Sequence, residues 1–352
     1  MTIKVIQWAT GAIGKTCLRQ VIDHPDLELV GLYVYSDRKV GKDAGEIARR
    51  PETGVIATND IEAIINTPAD VVLHLPLNPA ESYDEHDEII KRLLRSGKSV
   101  ITTIAHTYPL AEGNAYAQGF EEACREGKSV LFGTGINPGF IGERLSILLT
   151  SVCTHVDSVK VTEVYDCSEV LSTGFIFDLM GAGKPVEEIA SGPRVQTVFR
   201  HIFGEVVGFA GNAMQVDFDE VKADHEFGVA DKDVVLPVGT IKPGGVVNFR
   251  WRFHGMKNGT PMFTIQMIWL LDKSMPGWNY EDGWEVDIKG LPGLKARIDL
   301  VEPEGQRDRS KAMQYCVAGP VIRAIPEVLK AKPGILIAPS FAAYTPRMQR
   351  PA

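Results

Sequence analysis

Two glycines, Gly11 and Gly14, follow a short apolar stretch at residues 3–8 that has the composition of a buried strand. The apolar residues after the second glycine recur at helical spacing, which predicts a strand, a turn and a helix. In such a unit the first glycine lets a pyrophosphate approach the backbone, the second allows close helix packing, and the helix start supplies free N–H donors. The pattern therefore predicts a dinucleotide site. Its residues are Thr10, Gly11, Ala12, Ile13 and Gly14.

Ala9 stands where the fingerprint GxGxxG has its first glycine. The fingerprint tolerates this departure only if the turn at Ala9 avoids positive φ. A glycine pair between a strand and a helix is also compatible with a plain tight turn. Further strands behind the turn favour the nucleotide interpretation.

The end of the second predicted strand indicates which dinucleotide binds. Ser36, Arg38 and Lys39 offer a small polar group and two cations, which suit the 2′-phosphate of NADP. Asp37 could instead accept hydrogen bonds from the ribose hydroxyl of NAD. We predict NADP, with NAD open, and a solvated loop remains an equal interpretation of Lys39.

Loops that follow parallel strands meet at one edge of the sheet, where the ligand of an open α/β fold lies. This rule selects residues 76–78, 104–109 and 135–140. Among them, His106 and Tyr108 are able to donate a proton, and either is a candidate general acid. The structural alternatives are a loop histidine bonded to backbone and a tyrosine that packs at a turn. The further predicted cofactor contacts are Leu75, Pro76, Ile104, Asn137 and Pro138.

Strands at residues 3–8, 29–35, 71–75, 99–104 and 130–132 alternate with helical stretches, which predicts a Rossmann-type, doubly wound parallel sheet. One helix should begin with Asn78 as cap and a capping box at Glu81, and end before Gly97. The acidic run at residues 84–88 on this helix is interpreted as a solvated face. It has no second His/Asp set at ligand spacing, and we predict no metal site.

Beyond about residue 155 the apolar residues alternate as in strands. Residues 247–253 and 263–271 flank an Asn258-Gly259 turn, and residues 157–165 and 284–288 add further strands. The fold class predicted is therefore α/β: a Rossmann sheet plus a second, α+β domain whose sheet is open and mainly antiparallel. One face of that sheet must be covered by helices or by a partner subunit.

A helix over residues 314–330 should pack back on the first domain. We predict a dinucleotide-binding domain at residues 1–140, completed by 312–352, and a substrate-binding and dimerisation domain at 141–311.

Composition excludes several classes of protein. With 37 basic and 45 acidic side chains the net charge is -8, which argues against a nucleic-acid partner. The five cysteines are scattered without a CxxC pair, so neither a disulfide framework nor a zinc site is indicated. No secretory signal and no run of about 18 apolar residues occurs, and we expect a cytoplasmic protein that does not bind membranes.

Residues 133–140, GTGINPGF, resemble a segment of the dihydrodipicolinate reductase-like superfamily, in the branch of 2,4-diaminopentanoate dehydrogenase and native amine dehydrogenases. Residues 40–46, 312–313, 324–326 and 333–335 resemble other parts of the same branch. The resemblance implies a homodimer, hydride transfer from NAD(P)H to an imine carbon, and a nicotinamide pocket bordered by the NPGF segment. It makes Phe140 and Tyr165 candidate substrate contacts, with core packing as the equal alternative.

One segment departs from that branch. Its amine dehydrogenases carry a glutamate-containing segment like TCEELSYP after the fourth strand, whereas residues 103–109 here contain no acid. We therefore predict reduction of a small, partly apolar imine, ketone or aldehyde. The alternatives are an amine dehydrogenase that uses free ammonia, with an acid such as Glu143 or Glu163, and a cofactor-binding sensor without catalysis.

Overall fold

The computed structural model describes residues 2–79, 81–192, 194–305 and 310–346. The chain forms two compact units. The first contains the residues up to Leu77, Asp84–Phe140 and Leu300–Ala338, and the second contains Asn78–Tyr83, Ile141–Asp299 and the residues from Pro339 onward.

In chain order the strands are β1 Ile3–Trp8, β2 Leu27–Tyr33, β3 Ala57–Thr58, β4 Val71–His74, β5 Ser99–Thr102, β6 Val130–Gly133, β7 His155–Asp166, β8 Glu220–Val229, β9 Val234–Leu236, β10 Gly239–Ile241, β11 Val246–Lys257, β12 Thr260–Leu270, β13 Gly283–Leu291, β14 Leu294–Ile298 and β15 Gly334–Ile335. The α-helices are α1 Ala12–Asp23, α2 Ala44–Ala48, α3 Ile61–Asn66, α4 Asp84–Arg95, α5 Asn114–Gly127, α6 Ser146–Leu149, α7 Val186–Ser191, α8 Arg200–Met214 and α9 Ala312–Lys330. Short 3₁₀ turns lie at Asp37–Lys39, Pro109–Glu112 and Thr150–Val152, and π-helical turns at Ile141–Leu145, Gly174–Leu179 and Arg194–Phe199.

The sheet of the first unit has the strand order β15-β6-β5-β4-β1-β2-β3 over the described residues. Every pairing in it is parallel. Helices α4 and α5 bury their apolar residues on one face, together with Trp8 and Val72. Helices α1 and α9 bury theirs on the other, against Val5 and Leu73. The predicted doubly wound α/β sheet is thus confirmed, because apolar residues on both faces of a strand require helices on both sides.

The helix after β4 differs from its prediction. It begins at Asp84 rather than beside Asn78, although it buries the predicted apolar residues Ile89, Ile90, Leu93 and Leu94. Asn78 does not cap it; the Asn78 side-chain oxygen accepts a hydrogen bond from the Tyr83 hydroxyl at 2.8 Å. The predicted N-cap at Asn78 was therefore wrong, because the Asn78 side chain bonds to Tyr83 before the helix begins.

Helix α9 and strand β15 pack on the first unit. Helix α9 buries Val321, Ile325 and Val328 in the same core as Cys17 and Val21 of α1. Strand β15 then pairs in parallel with β6. Residues 312–335 thus supply both a helix and an edge strand to the first unit.

The sheet of the second unit has the order β14-β13-β7-β12-β11-β8. Its pairings are antiparallel except for β7 with β12, so the prediction of a mainly antiparallel sheet is confirmed. The β11–β12 hairpin turns at Asn258 and Gly259, which both have positive φ, 51° and 74°. Helix α8 packs against β11 and β12 and covers one face. In the part of the chain that the structure describes, no helix has the length and apolar character needed to cross a membrane.

Candidate active site

The glycine turn between β1 and α1 has the geometry that a pyrophosphate requires. Gly11 is the N-cap residue of α1, and no side chain caps the helix. An added Cβ at Gly11 would meet no heavy atom of the described chain within 4 Å, whereas one at Gly14 would lie 2.3 Å from the Ala9 carbonyl oxygen. The space before the helix start is therefore open, and only glycine fits at position 14. Both observations are compatible with a pyrophosphate at the start of α1.

The fingerprint was expected to tolerate alanine at position 9 only if the backbone there avoids positive φ. The φ of Ala9 is +75°, so this expectation was wrong. A left-handed alanine costs about 1 kcal/mol relative to glycine. The turn holds Ala9 there by two hydrogen bonds: its N–H donates to the Tyr33 carbonyl at 3.0 Å, and its carbonyl accepts from the Gln7 amide at 2.9 Å.

Lys39 reaches the same turn from the end of β2. Its Nζ donates to the Thr10 carbonyl oxygen at 3.0 Å and to the Thr10 hydroxyl at 2.8 Å. Burial, and then the charge of Lys15, lowers the pKa of Lys39. Ser36 and Arg38 are exposed next to it in the chain. The structure thus brings together Thr10 and Lys39, two residues of the predicted cofactor site that lie 29 positions apart.

Asp37, the residue that could accept hydrogen bonds from the ribose of NAD, has a side-chain partner. Its carboxylate accepts a hydrogen bond from the Asn59 amide at 3.1 Å. Lys39 is thus bonded to the glycine turn, and Asp37 is bonded to Asn59.

The loop after β4 begins beside the glycine turn. The Leu75 N–H donates to the Trp8 carbonyl at 3.0 Å, which places Leu75 and Pro76 next to the end of β1. The side chains of Leu75 and Ile104 are 4% and 1% exposed. These two predicted cofactor contacts could therefore face a ligand through their backbones only.

The loop after β5 places His106 in the interior of the first unit. The imidazole is fully buried, with Nδ1 2.7 Å from the Ile104 carbonyl oxygen and Nε2 2.8 Å from the Asp87 carboxylate. This geometry argues against His106 as a proton donor to substrate, since both ring nitrogens are engaged away from solvent. It agrees with the alternative, a loop histidine bonded to backbone.

Asp87 corrects the interpretation of the acidic run on α4. Asp84, Glu85 and Glu88 are exposed as expected. Asp87 is only 4% exposed and points inward to His106, so it is not part of a solvated face. The spacing to Ile90 and Leu94, three and seven residues on, was the signal that could have placed Asp87 on the buried face.

Tyr108 is half-buried in the same loop. Burial raises the pKa of its phenol, so the hydroxyl stays protonated at neutral pH. Pro109 after it starts a 3₁₀ turn, and the Tyr108 carbonyl accepts the Ala111 N–H at 3.0 Å. A protonated phenol at the carboxyl edge of the sheet retains the chemistry of a general acid.

The segment after β6 packs tightly on the loop of His106. A Cβ at Gly133 would lie 2.2 Å from the His106 carbonyl carbon, so glycine alone allows this approach. The Asn137–Pro138 peptide bond is cis, and Gly139 has φ +115°. Phe140 ends the segment with 36% of its surface exposed, which is compatible with a substrate contact.

A buried carboxylate lies in the second unit on the same strand as Tyr165. Glu163 accepts hydrogen bonds from the indole N–H groups of Trp269 at 2.9 Å and Trp284 at 2.8 Å, one on each oxygen. Trp269 is paired with the half-buried Tyr165 in the β7–β12 register. Neither tryptophan was predicted as a site residue, although buried indoles require an N–H acceptor.

Histidines His74 and His86 lie near His106 but were not singled out by sequence. The His74 Nδ1 lies 3.0 Å from the Thr102 hydroxyl, and the His74 and His86 rings are 5.5 Å apart. Burial, followed by the charges of His86 and His106, holds the pKa of His74 well below its usual range. Among the described residues, no group of three or more His, Cys, Asp or Glu could hold a metal ion.

Two family models match the chain. Residues 140–345 match the 2,4-diaminopentanoate dehydrogenase C-terminal domain, and residues 3–103 match the N-terminus of dihydrodipicolinate reductase. These matches confirm the resemblance inferred from residues 133–140.

Whole proteins match over nearly the full length. An amine dehydrogenase from Streptomyces virginiae is 28% identical over 95% of this chain and 94% of its own length. A 2,4-diaminopentanoate dehydrogenase from Acetoanaerobium sticklandii is 25% identical over 95% of this chain and 91% of its own. The structure of an amine dehydrogenase from Mycobacterium smegmatis shares the fold, with a TM-score of 0.77 and 19% identity over 96% of this chain and 95% of that one.

Proposed function

Since this chain belongs to the 2,4-diaminopentanoate dehydrogenase C-terminal domain family and is an NAD(P)-dependent oxidoreductase, we propose that it reduces the C=N or C=O carbon of a small, partly apolar molecule. The observation that carries this proposal is the glycine turn. It has open space before Gly11 and no room for a side chain at Gly14. Bound nicotinamide would supply the hydride.

We propose NADP as the preferred cofactor. Lys39 is fixed to Thr10 and carries a positive charge close to the helix start, where Lys15 adds a second one. Ser36 and Arg38 complete the group of side chains proposed for the 2′-phosphate. Leu75, Pro76, Ile104, Asn137 and Pro138 are proposed as the remaining cofactor contacts.

The proton is proposed to come from Tyr108. When hydride adds to the carbon of the C=N or C=O bond, the bond electrons move to the nitrogen or oxygen, which then takes up a proton. The Tyr108 phenol, kept protonated by burial, supplies it and regains its proton from solvent. Phe140 and Tyr165 are proposed as the substrate contacts.

A second candidate function is reductive amination with free ammonia, and Glu163 is the observation that favours it. Its carboxylate is fixed by Trp269 and Trp284 on the strand of Tyr165. The matching protein from Streptomyces virginiae is named an amine dehydrogenase.

The test is the consumption of NADPH and of NADH with a panel of ketones and aldehydes, each with and without ammonia. Turnover without ammonia supports the reductase, and turnover that requires ammonia supports the amine dehydrogenase. Tight NADPH binding without turnover would indicate a cofactor-binding sensor. Absence of binding to both reduced cofactors would overturn the proposal.

We further propose a cytoplasmic homodimer. Cys17, Cys124, Cys153 and Cys167 form no disulfide bond, which suits a reducing compartment. The face of the second sheet that carries Arg250, Arg252 and His254 is the proposed subunit contact. Light scattering during size exclusion would measure the subunit number, and a monomer at micromolar concentration would contradict it.

A further inference from the structure

The loop that follows β5 adopts an unfavourable backbone conformation at two successive residues. Ala105 has φ +52° and His106 has φ +63°, and neither is glycine. Left-handed backbone at L-residues is disfavoured, and it persists only where the surrounding structure holds it. Tyr108, the proposed proton donor, lies two residues further on.

The ring of His106 is the main attachment of this loop. Its Nδ1 lies 2.7 Å from the Ile104 carbonyl and its Nε2 2.8 Å from the Asp87 carboxylate. It also packs edge-on against Phe120, with ring centres 5.1 Å apart. On the opposite side, the backbone after His106 presses against Gly133, where no Cβ would fit.

The hydrogen bond between Asp87 and His106 lies in the interior of the first unit, since His106 is fully buried and Asp87 is 4% exposed. A buried hydrogen-bonded pair of this kind is costly to break on one side, because the remaining polar group is left without compensation.

We propose that Asp87 is a positioning residue of the reductase proposed above: through His106 it fixes the loop from Ala105 to Tyr108 and so the place of the Tyr108 hydroxyl. Asp87 touches neither substrate nor cofactor in this role. Asp87 lies on α4, and the loop that it holds is the one after β5, which has positive φ at Ala105 and His106. The inference rests on the proposed function only for the identity of the proton donor.

The variants are Asp87→Ala, which removes the attachment, and Asp87→Asn, whose amide can still form a hydrogen bond with the imidazole. Glu88→Ala is the matched control, since Glu88 is the exposed next residue of the same helix. We expect Asp87→Ala to lower kcat at least tenfold while the Kd for NADPH changes less than threefold. Asp87→Asn should recover most of the loss, and Glu88→Ala should behave as the parent.

A double substitution separates positioning from general destabilisation. In a Tyr108→Phe background, Asp87→Ala should lower kcat less than threefold, because the group that it positions is already absent. An equal loss of kcat in both backgrounds would overturn the proposal, as would an unchanged kcat in Asp87→Ala.

Hydrogen exchange supplies a measurement that needs no turnover. Asp87→Ala, or Asp87→Asn if the alanine variant does not fold, should speed exchange in a peptide covering residues 103–110 relative to Glu88→Ala. A peptide covering the glycine turn should exchange as in the parent. If residues 103–110 keep the parent's protection, the positioning role fails, whereas loss of NADPH binding by the parent protein fails the proposed function instead.

Discussion

The carbonyl oxygen of Ala9 lies 2.3 Å from the point where a side chain on Gly14 would begin. The two residues therefore share one space at the junction of β1 and α1. Gly14→Ala should lower the free energy of unfolding by about 1–3 kcal/mol, because the backbone must move to make room. Gly11→Ala is the matched control for the fold: it should keep the parent's stability within about 1 kcal/mol but weaken NADPH binding more than tenfold. Urea unfolding and NADPH fluorescence titrations measure both, and a Gly14→Ala protein as stable as the parent would contradict the turn geometry.

Lys39 should decide between the two nicotinamide cofactors. Removal of its ammonium in Lys39→Ala should raise the Kd for NADPH about tenfold, equivalent to about 1.4 kcal/mol. The Kd for NADH should change much less, because NADH lacks the 2′-phosphate. Lys42→Ala is the control, since Lys42 is exposed and pairs with Glu46. An equal rise in Kd for NADPH and NADH would show that Lys39 does not contact the 2′-phosphate.

Tyr108→Phe should lower kcat about 10²-fold, the usual contribution of a general acid, and leave NADPH binding intact. The pH profile gives an independent check. Because burial raises the pKa of Tyr108, its acidic form persists at higher pH than that of a free phenol. The fall in activity on the alkaline side should therefore lie above about pH 10. A fall near neutral pH would point to another acid.

His74 should make the protein less stable in mild acid. Its pKa in the folded chain is held well below the ordinary value, so the unfolded chain binds the proton first as the pH falls. The contribution of neutral His74 to the free energy of unfolding is fully present above about pH 6.5. It is lost progressively at lower pH, by up to about 1.4 kcal/mol per pH unit. His74→Asn should flatten this dependence in urea unfolding between pH 7 and pH 5. An unchanged slope would show that His74 is not responsible.

The parallel sheet could be predicted because its strands are apolar on both faces, which leaves short continuous runs in the sequence. Strands β3 and β15 were missed, since each has two residues and no periodicity. The start of α4 was placed too early because Asn78 and Glu81 imitate a cap whose side chain is used by Tyr83.

The glycine turn of the candidate site could be predicted, but the buried contact between Asp87 and His106 could not. Thr10 and the glycines follow from a local pattern in the first strand, turn and helix, and Lys39 follows from its place after the second strand. The contact between Asp87 and His106 joins two elements, and only the tertiary structure brings the two residues within 2.8 Å. Likewise the positive φ of Ala9 depends on the neighbouring β2, whose Tyr33 carbonyl holds the Ala9 N–H.

The place of α9 and β15 has a consequence for biosynthesis. The core that contains Val21, Leu73 and Ile101 is closed by Val321 and Ile325, which a ribosome makes at least 220 residues later. Until then a nascent chain exposes one apolar side of its nucleotide-binding sheet, a surface on which chaperones act during translation. Ribosome-bound chains that stop before α9 should therefore be protease-sensitive in the first unit, and chains extended through β15 should resist cleavage there.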